Sequence, residues 1–466
     1  MLNLSTLKTP GVYIDEVALL PPSVAGVETS IPAFIGYTEK AEDKIPGDLI
    51  LVPKKIKSLK EYEQHFGRVA EKGIAVTIND TTDAADKLLT RQISVAVTPA
   101  KRNMYYQMQM FFANGGSVCY VVSVGEGSSE TAPDLGKLED GLNEIKKVDE
   151  PTLIVFPDVH NGTTEANVYN LYKKALAQAG ELQDRFVVMD VNTVATFRSG
   201  IGTENLKYGA AYYPSLKTFL SFVFNDADVT VDHQVVKAGA AAVAGAYDGN
   251  LSLVPKSNAL YGEIKQKIDQ TNLVLTPSSA VVGVYAAVDA SRGVWKAPAN
   301  VSLTNVLAPT VLINDLDQRD LNVDVDGGHS INVIRHITGR GPAVIWGART
   351  LAGNDNEWRY VSVRRFFNFV EESVKKATYR FVFEPNDANT WVKVRAMIEN
   401  FLTLQWRAGA LMGAKPEHAF FVRVGLGQTM TQDDVLNGRL IIEIGMAAVR
   451  PAEFIVLRFM HKLPES

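Results

Sequence analysis

Residues 153–189 read LIVFPDVHNGTTEANVYNLYKKALAQAGELQDRFVVM, and the hydrophobic period changes twice along them. Leu153-Ile154-Val155-Phe156 is apolar without alternation, the pattern of a strand buried on both faces. Val168, Leu171, Tyr172, Ala175, Leu176 and Ala179 then fall on one face of a helix, which Gly180 is expected to end. Phe186-Val187-Val188-Met189 returns to strand. A strand, helix and strand of this length make a βαβ unit, whose crossover requires parallel pairing. The chain therefore holds at least one parallel α/β sheet.

Outward from this unit the text is less regular. From Ser23 to about Val52, runs such as Ile31–Gly36 alternate with Gly and Pro, which suggests strands and turns. Ser117–Val124 is the next strand, and Gly125–Gly136 reads as an exposed loop and an internal boundary. Phe219–Asn272 fits no single period, and within it Ala238–Tyr247 suits a tightly packed helix or a loop. Val281–Ala290 reads as helix and Trp295–Ala299 as an extended exit. Residues 351–466 look like a separate α+β module. Its first helix, Glu357–Ala377, is expected to bury Val363, Phe367, Val370, Val374 and Ala377 and to turn Arg364, Asn368, Glu371 and Lys375 outward. A second, Thr390–Ala408, takes Thr390 as N-cap and carries the stripe Trp391, Val394, Met397, Phe401, Leu404. Strands at Leu440–Ile444 and Phe454–Met460 follow, joined across Gly445–Pro451.

The two ends pose a physical problem. Pro10 and Gly11 open the strand-like run Val12–Val17, which Pro21 and Pro22 close with no hairpin return nearby. Phe454–Met460 is apolar on both alternating faces. A lone strand leaves backbone N–H and C=O groups unpaired, so each end must return to its own domain or complete another subunit's sheet. The second option would make a lattice protein, with Val12, Tyr13, Ile14 and Val17 carrying the N-terminal arm and Phe454, Val456, Leu457 and Phe459 the C-terminal strand. Flexible connectors are expected near Ala18–Ala25 and Gly445–Pro451.

Bulk properties narrow the function. The chain has 466 residues, 46% apolar and 21% charged, enough for several buried cores and not the composition of a disordered chain. A formal charge of −5 without blocks of like charge gives no electrostatic support to nucleic-acid binding. Residues 351–466 carry 15 basic and 13 acidic side chains against 32 and 39 in residues 1–350, a mildly basic module beside an acidic remainder. Cys119 is the only cysteine, which excludes an intramolecular disulfide and fits a buried thiol in a chain folded in a reducing cytoplasm. No apolar run approaches the roughly 18 residues of a membrane span, and the start of the chain does not read as a signal peptide.

Catalytic signals fail on inspection. Gly339-Arg340-Gly341-Pro342 resembles a phosphate cradle, but Ala343–Trp346 after it reads as strand, so no helix N-terminus faces an anion. Asn322, Asp324, Asp326 and Gly327 match half a calcium loop, yet the position for the bidentate Glu is Val333, which suits a polar turn. His329 and His336 have no ligand partner at suitable spacing and are expected to be surface or hydrogen-bonded. No enzyme activity, catalytic residue, metal or cofactor is expected.

The chain resembles the sheath proteins of contractile phage tails, pyocins and extracellular contractile injection systems. The likeness begins in TPGVYIDEV at Thr9–Val17 and includes AAYYPSLK at Ala210–Lys217. It becomes continuous with GVYAAVDASRGVWKAPAN (Gly283–Asn300), INVIRHITGRGPAVIWGARTLAG (Ile331–Gly353) and EWRYVSVRRFFNFVEES (Glu357–Ser373). FEPND (Phe383–Asp387), TMTQDDV (Thr429–Val435) and GRLIIEIGMAAVRPAEFIVLRF (Gly438–Phe459) extend it. Residues 37–150 and 219–275 match nothing placed, as outward-facing variable regions would.

The resemblance implies an α/β and α+β multidomain chain. Residues 1–25 would be a linker arm and 26–150 a partly outer β-rich region. Residues 151–350 would form an α/β middle domain with a variable insertion at 219–275, and 351–466 an inner module ending in an exchanged strand. It implies stacked hexameric rings of this chain around an inner tube protein, with baseplate and terminator proteins as further partners. Assembly in the bacterial cytoplasm and service in a phage virion or injection particle are implied, with neither nucleic acid nor direct membrane insertion. The tube-facing surface is expected on the polar side of the Glu357–Ala377 helix, with Arg364, Arg365 and Lys375 meeting acidic groups. Alternatives are a sheath paralogue at the baseplate or cap, another non-contracting tail component, or a monomeric enzyme using the βαβ crevice.

Overall fold

The computed structural model describes residues 23–68, 73–98, 102–126, 133–237 and 240–456. Val12, Tyr13, Ile14, Val17, Leu457 and Phe459 lie outside them. The chain divides into two compact units, Met1–Val27 with Phe369–Arg450, and Glu28–Asn368 with Pro451–Ser466.

The larger unit is organised by a nine-stranded sheet. In chain order its strands are β1 (Pro32–Thr38), β2 (Lys54–Ile56), β3 (Cys119–Glu126), β4 (Leu153–Val155), β5 (Phe186–Asp190), β6 (Gly209–Tyr213), β7 (Val301–Ser302), β8 (Ile331–Ile337) and β9 (Gly341–Ile345). Across the sheet they run β7-β9-β8-β6-β5-β4-β1-β3-β2. The strands from β3 to β8 pair in parallel, and β2, β7 and β9 add antiparallel edges. The βαβ reading holds: Leu153 pairs with Phe186 and Ile154 with Val187.

Helices α1 (Met104–Ala113), α2 (Leu135–Lys146), α3 (Glu165–Leu182) and α4 (Ser278–Arg292) belong to this unit. Alternate strand residues enter two cores. Phe34, Val121, Val155, Val188 and Tyr212 cluster with Phe111, Val281 and Tyr285 of α1 and α4. Ala33, Ile35, Ile154, Val187 and Ala211 cluster with Leu138, Leu142, Leu171 and Tyr172 of α2 and α3. This is the two-faced burial that continuous apolar strands require. Helix α3 runs past Gly180 to Leu182 and ends at Gln183, whose φ is 58°. Gly180 is needed for space, because a Cβ there would run into the Asn205 side chain.

Several expected boundaries move. The division at residue 150 is not one, because β1 lies between β3 and β4 and joins both sides of it into one sheet. Of the loop expected at Gly125–Gly136, residues 127–132 lie outside the described residues, Gly125 belongs to β3, and α2 begins at Leu135, capped by Asp134, which accepts from the Gly136 N–H. The stretches 37–150 and 219–275 share a second sheet. Ile74–Thr82 pairs antiparallel with Leu88–Val97 and parallel with Thr230–Lys237. Val243–Ala244 pairs back on Gln234 and Val235, so part of Ala238–Tyr247 is a strand rather than the helix or loop expected. Trp295–Ala299 is a series of turns rather than an extended exit.

The smaller unit holds the second half of helix α5 (Val361–Thr378), helix α6 (Ala388–Arg407) and a two-stranded sheet of Phe420–Arg423 against Glu443–Met446. The boundary between the units falls inside α5, not at residue 351. Asp387 caps α6 by accepting from the Thr390 N–H at 2.9 Å, while Thr390, the expected cap, is buried one turn in. Val394, Met397 and Phe401 are buried as expected, and Leu404 is exposed. The strand expected at Leu440–Ile444 sits at Glu443–Met446. The expected connector at Gly445–Pro451 is largely paired backbone: the Met412 N–H donates to Ala447 O, and the Ala447 and Val449 N–H groups to Ala419 O and Ala410 O.

At Gly283 of α4, an added Cβ would stand 2.6 Å from the backbone oxygen of Phe111. A backbone atom cannot rotate away, so Gly283→Ala is expected to cost about 1–3 kcal/mol, read as a lower denaturation midpoint.

Candidate functional site: the roots of the terminal segments

Phe454, Ile455 and Val456 are 72, 79 and 77% exposed. They form no strand with any described residue, so the only part of the expected C-terminal strand in view is apolar and unpaired. The residue before them is held firmly. Glu453 accepts from Arg349 Nε at 2.9 Å and Nη2 at 2.7 Å, from Asn322 Nδ2 at 2.7 Å and from the Tyr360 hydroxyl at 3.1 Å. Burial pushes its carboxyl up, but the hydrogen bonds from Arg349 and Asn322 outweigh that and hold it below the usual range. Arg349 is in turn fixed by Asn332 of β8, whose side chain accepts from its N–H and donates to its carbonyl, both at 2.8 Å.

The N-terminal root is built on another arginine. Arg365 of α5 donates through Nη1 and Nη2 to Asp289 of α4 at 3.1 and 2.5 Å. Nη2 also donates to Thr29 O and Ser30 Oγ, both at 2.9 Å. The Thr29 hydroxyl donates to Asp289 at 2.7 Å, and the Ser30 hydroxyl donates to it as well. In the smaller unit, Val24 is buried and the Val27 N–H donates to Ser373 Oγ at 3.1 Å. Of the connector expected at Ala18–Ala25, Ser23 and Ala25 are exposed.

Two of the three expected tube-facing residues are misassigned. Arg364 is 2% and Arg365 3% exposed. Arg364 donates to Asn368 and lies 4.2 Å from the Trp358 ring centroid, and Arg365 lies 4.6 Å from that of Tyr285. A helical face of charged residues reads as solvated, yet this one meets carboxylates and rings that sequence cannot place. Asn368 is buried too, donating to Arg185 O, whereas Glu371 and Lys375 are exposed as expected. The roles of Arg349, Asp289 and Glu453 were not read from sequence. The one available signal was Asp289 inside the otherwise apolar run Val281–Ala290.

The other candidates have structural explanations. His329 is buried, its Nε2 2.8 Å from Gly202 O and its N–H donating to Asp324. Gly339 and Arg340 form the turn between β8 and β9. Cys119 is buried, and burial pushes its thiol well above the ordinary range. No described helix is long and apolar enough to cross a membrane. Asp158, just after β4, is fully enclosed: Oδ1 accepts from the Asn103 N–H at 2.7 Å and Oδ2 has no hydrogen-bond partner among the described residues. Burial pushes its carboxyl up to about 7, against the pull of the Asn103 N–H and Arg102, with Asp190 adding to the rise.

Residues 353–461 match the family described as the phage tail sheath C-terminal domain. Over nearly its whole length the chain is similar to one in the contracted helical sheath of the anti-feeding prophage. The two are 33% identical with a TM-score of 0.66, over 98% of this chain and 99% of that one. The chain belongs to the contractile tail sheath family. This sheath protein is also similar to a chain of the contracted PVC sheath complex of an extracellular contractile injection system, at 28% identity and TM-score 0.64 over 98% of both chains. A chain of the contracted anti-feeding prophage baseplate is 25% identical, with a TM-score of 0.69 over 98% of this chain and 99% of that one. No curated protein sequence matches it.

Arg365→Ala should strand Asp289 without its counter-charge and lower stability by about 3–5 kcal/mol, while Lys375→Ala, which removes a half-exposed ammonium 3.1 Å from Glu372, should cost about 1 kcal/mol or less. Thermal melting of both variants checks this. Asp158 gives a pH test. Folded, it keeps its proton to about pH 7; unfolded, it loses it near 4. Its contribution is therefore full below the unfolded value and is lost as pH rises through about 7. Between pH 5 and 8, urea midpoints should show the parent losing roughly 2 kcal/mol more than Asp158→Asn.

Proposed function

We propose that this chain is a subunit of a contractile sheath, polymerising as stacked hexameric rings around an inner tube and contracting to drive that tube through a target envelope. The observation that carries the reading is full-length similarity, at 33% identity, to a chain in a contracted helical sheath. The unpaired apolar run Phe454–Val456 supports it.

Strand exchange supplies the linkage. In the smaller unit, Phe420–Arg423 and Glu443–Met446 form a sheet of only two strands among the described residues. Such a pair is marginal by itself and leaves edges able to accept strands. The C-terminal segment of one copy and the N-terminal arm of another would extend it. Each added backbone hydrogen bond contributes about 0.5–1.5 kcal/mol net, and burial of Phe454 and Val456 adds to that. A heterologous contact that does not close generates a helical stack, and exchanged strands keep copies joined while they move. Contraction is then a second packing of the same bodies at lower free energy, with the extended form held kinetically on tube and baseplate. Assembly would occur in the bacterial cytoplasm before the particle acts. No catalytic step enters this reading.

Similarity to a chain of the contracted baseplate favours one second reading, a sheath paralogue seated at the baseplate. Negative-stain electron microscopy separates the two. The purified full chain should form long hollow cylinders, and truncation after Glu453 should abolish them. A uniform small particle from the intact chain would remove the shaft reading.

A further inference from the structure

The two roots lie far apart in sequence, yet both lead to one strand. From Glu453 the path runs through Arg349 to Asn332, whose Nδ2 also donates to Ala211 O of β6 at 3.2 Å. From Thr29 and Ser30 it runs through Arg365 to Tyr285, over whose ring the guanidinium sits. The Tyr285 hydroxyl is 2.5 Å from that of Tyr212, again on β6. The two contacts fall on adjacent β6 residues. That strand is paired on both edges, to β5 and β8.

We infer that β6 is the common anchor of both terminal segments, with Arg349–Glu453 and Arg365–Asp289 as the positioning pairs that carry pull on either segment into the main sheet. An arginine–carboxylate fork on a buried arginine has no cheap half-broken state, because separation leaves Arg349 or Arg365, and at the second pair Asp289 too, enclosed without its partner. The roots therefore resist sliding. Bending falls to the residues beyond them, which for the C-terminal segment begin at Phe454. The transmission of pull rests on the sheath reading, whereas the anchoring is a property of the single chain.

Spin labels test both parts, since Cys119 is buried and a new surface cysteine would label selectively. With the label at Ile455→Cys in the full chain, Glu453→Gln should raise the mobile fraction about tenfold, a local opening of about 1.4 kcal/mol. Replacing the pair together, Arg349→Met with Glu453→Met, should restore most of the order, because an apolar pair strands no charge. With the label at the exposed Glu28→Cys, Tyr285→Phe leaves Arg365–Asp289 intact and removes only the link to Tyr212, and mobility should still rise. Unchanged mobility at Ile455 in Glu453→Gln, or at Glu28 in Tyr285→Phe, overturns the anchor. Cylinders of Glu453→Gln should be shorter and fall apart faster on dilution than those of the parent; equal cylinders overturn the transmission of pull. A parent chain that forms no cylinders refutes the sheath reading and leaves the mobility results to decide the anchor.

Discussion

Strand β1 is buried at each of its seven positions and pairs along both edges, with β3 on one side and β4 on the other. That double pairing constrains the rest of the larger unit. A central parallel strand must have both edges paired and both faces covered, because no backbone group there can turn to water. The crossovers therefore place α1 and α4 against one face and α2 and α3 against the other. Residues on either side of position 150 become one body. The second sheet draws strands from 74–97 and 230–244, so segments that look like separate insertions close on each other instead.

Upon this frame, some of the charge is used inside. Arg349, Arg364 and Arg365 are all buried, each with a carboxylate, amide or aromatic partner. Isolated, such cations would be prohibitively costly to enclose, so their partners must be in place wherever they occur. Two of them, Arg349 and Arg365, hold the chain at Glu453 and at Thr29 and Ser30, the roots of its terminal segments. A structural polymer has reason to put its most directional interactions there, since the segments beyond are the parts that other copies would pull.

The site was only partly legible beforehand. That Phe454–Val456 is apolar followed from its composition, whereas its exposure, with no described strand beside it, comes from the structure. The tube-facing assignment failed at Arg364 and Arg365 because helical periodicity identifies a polar face without saying what covers it. Glu453 was hidden for a simpler reason. Its partners stand 93, 104 and 131 residues away, and one carboxylate before an apolar run carries no local signature of being clamped.

The βαβ unit, the mixed α/β class, the buried lone thiol and the family were legible in the amino-acid sequence, because periodicity and extended motifs are local properties of the text. It took the folded chain to show that β1 joins both sides of residue 150, that the boundary between the units lies within α5, and that Arg349 and Arg365 face inward to grip the roots of the terminal segments. Those outcomes depend on which distant strand or carboxylate arrives beside a given residue. Long-range pairing of that kind leaves no periodic trace in a linear chain.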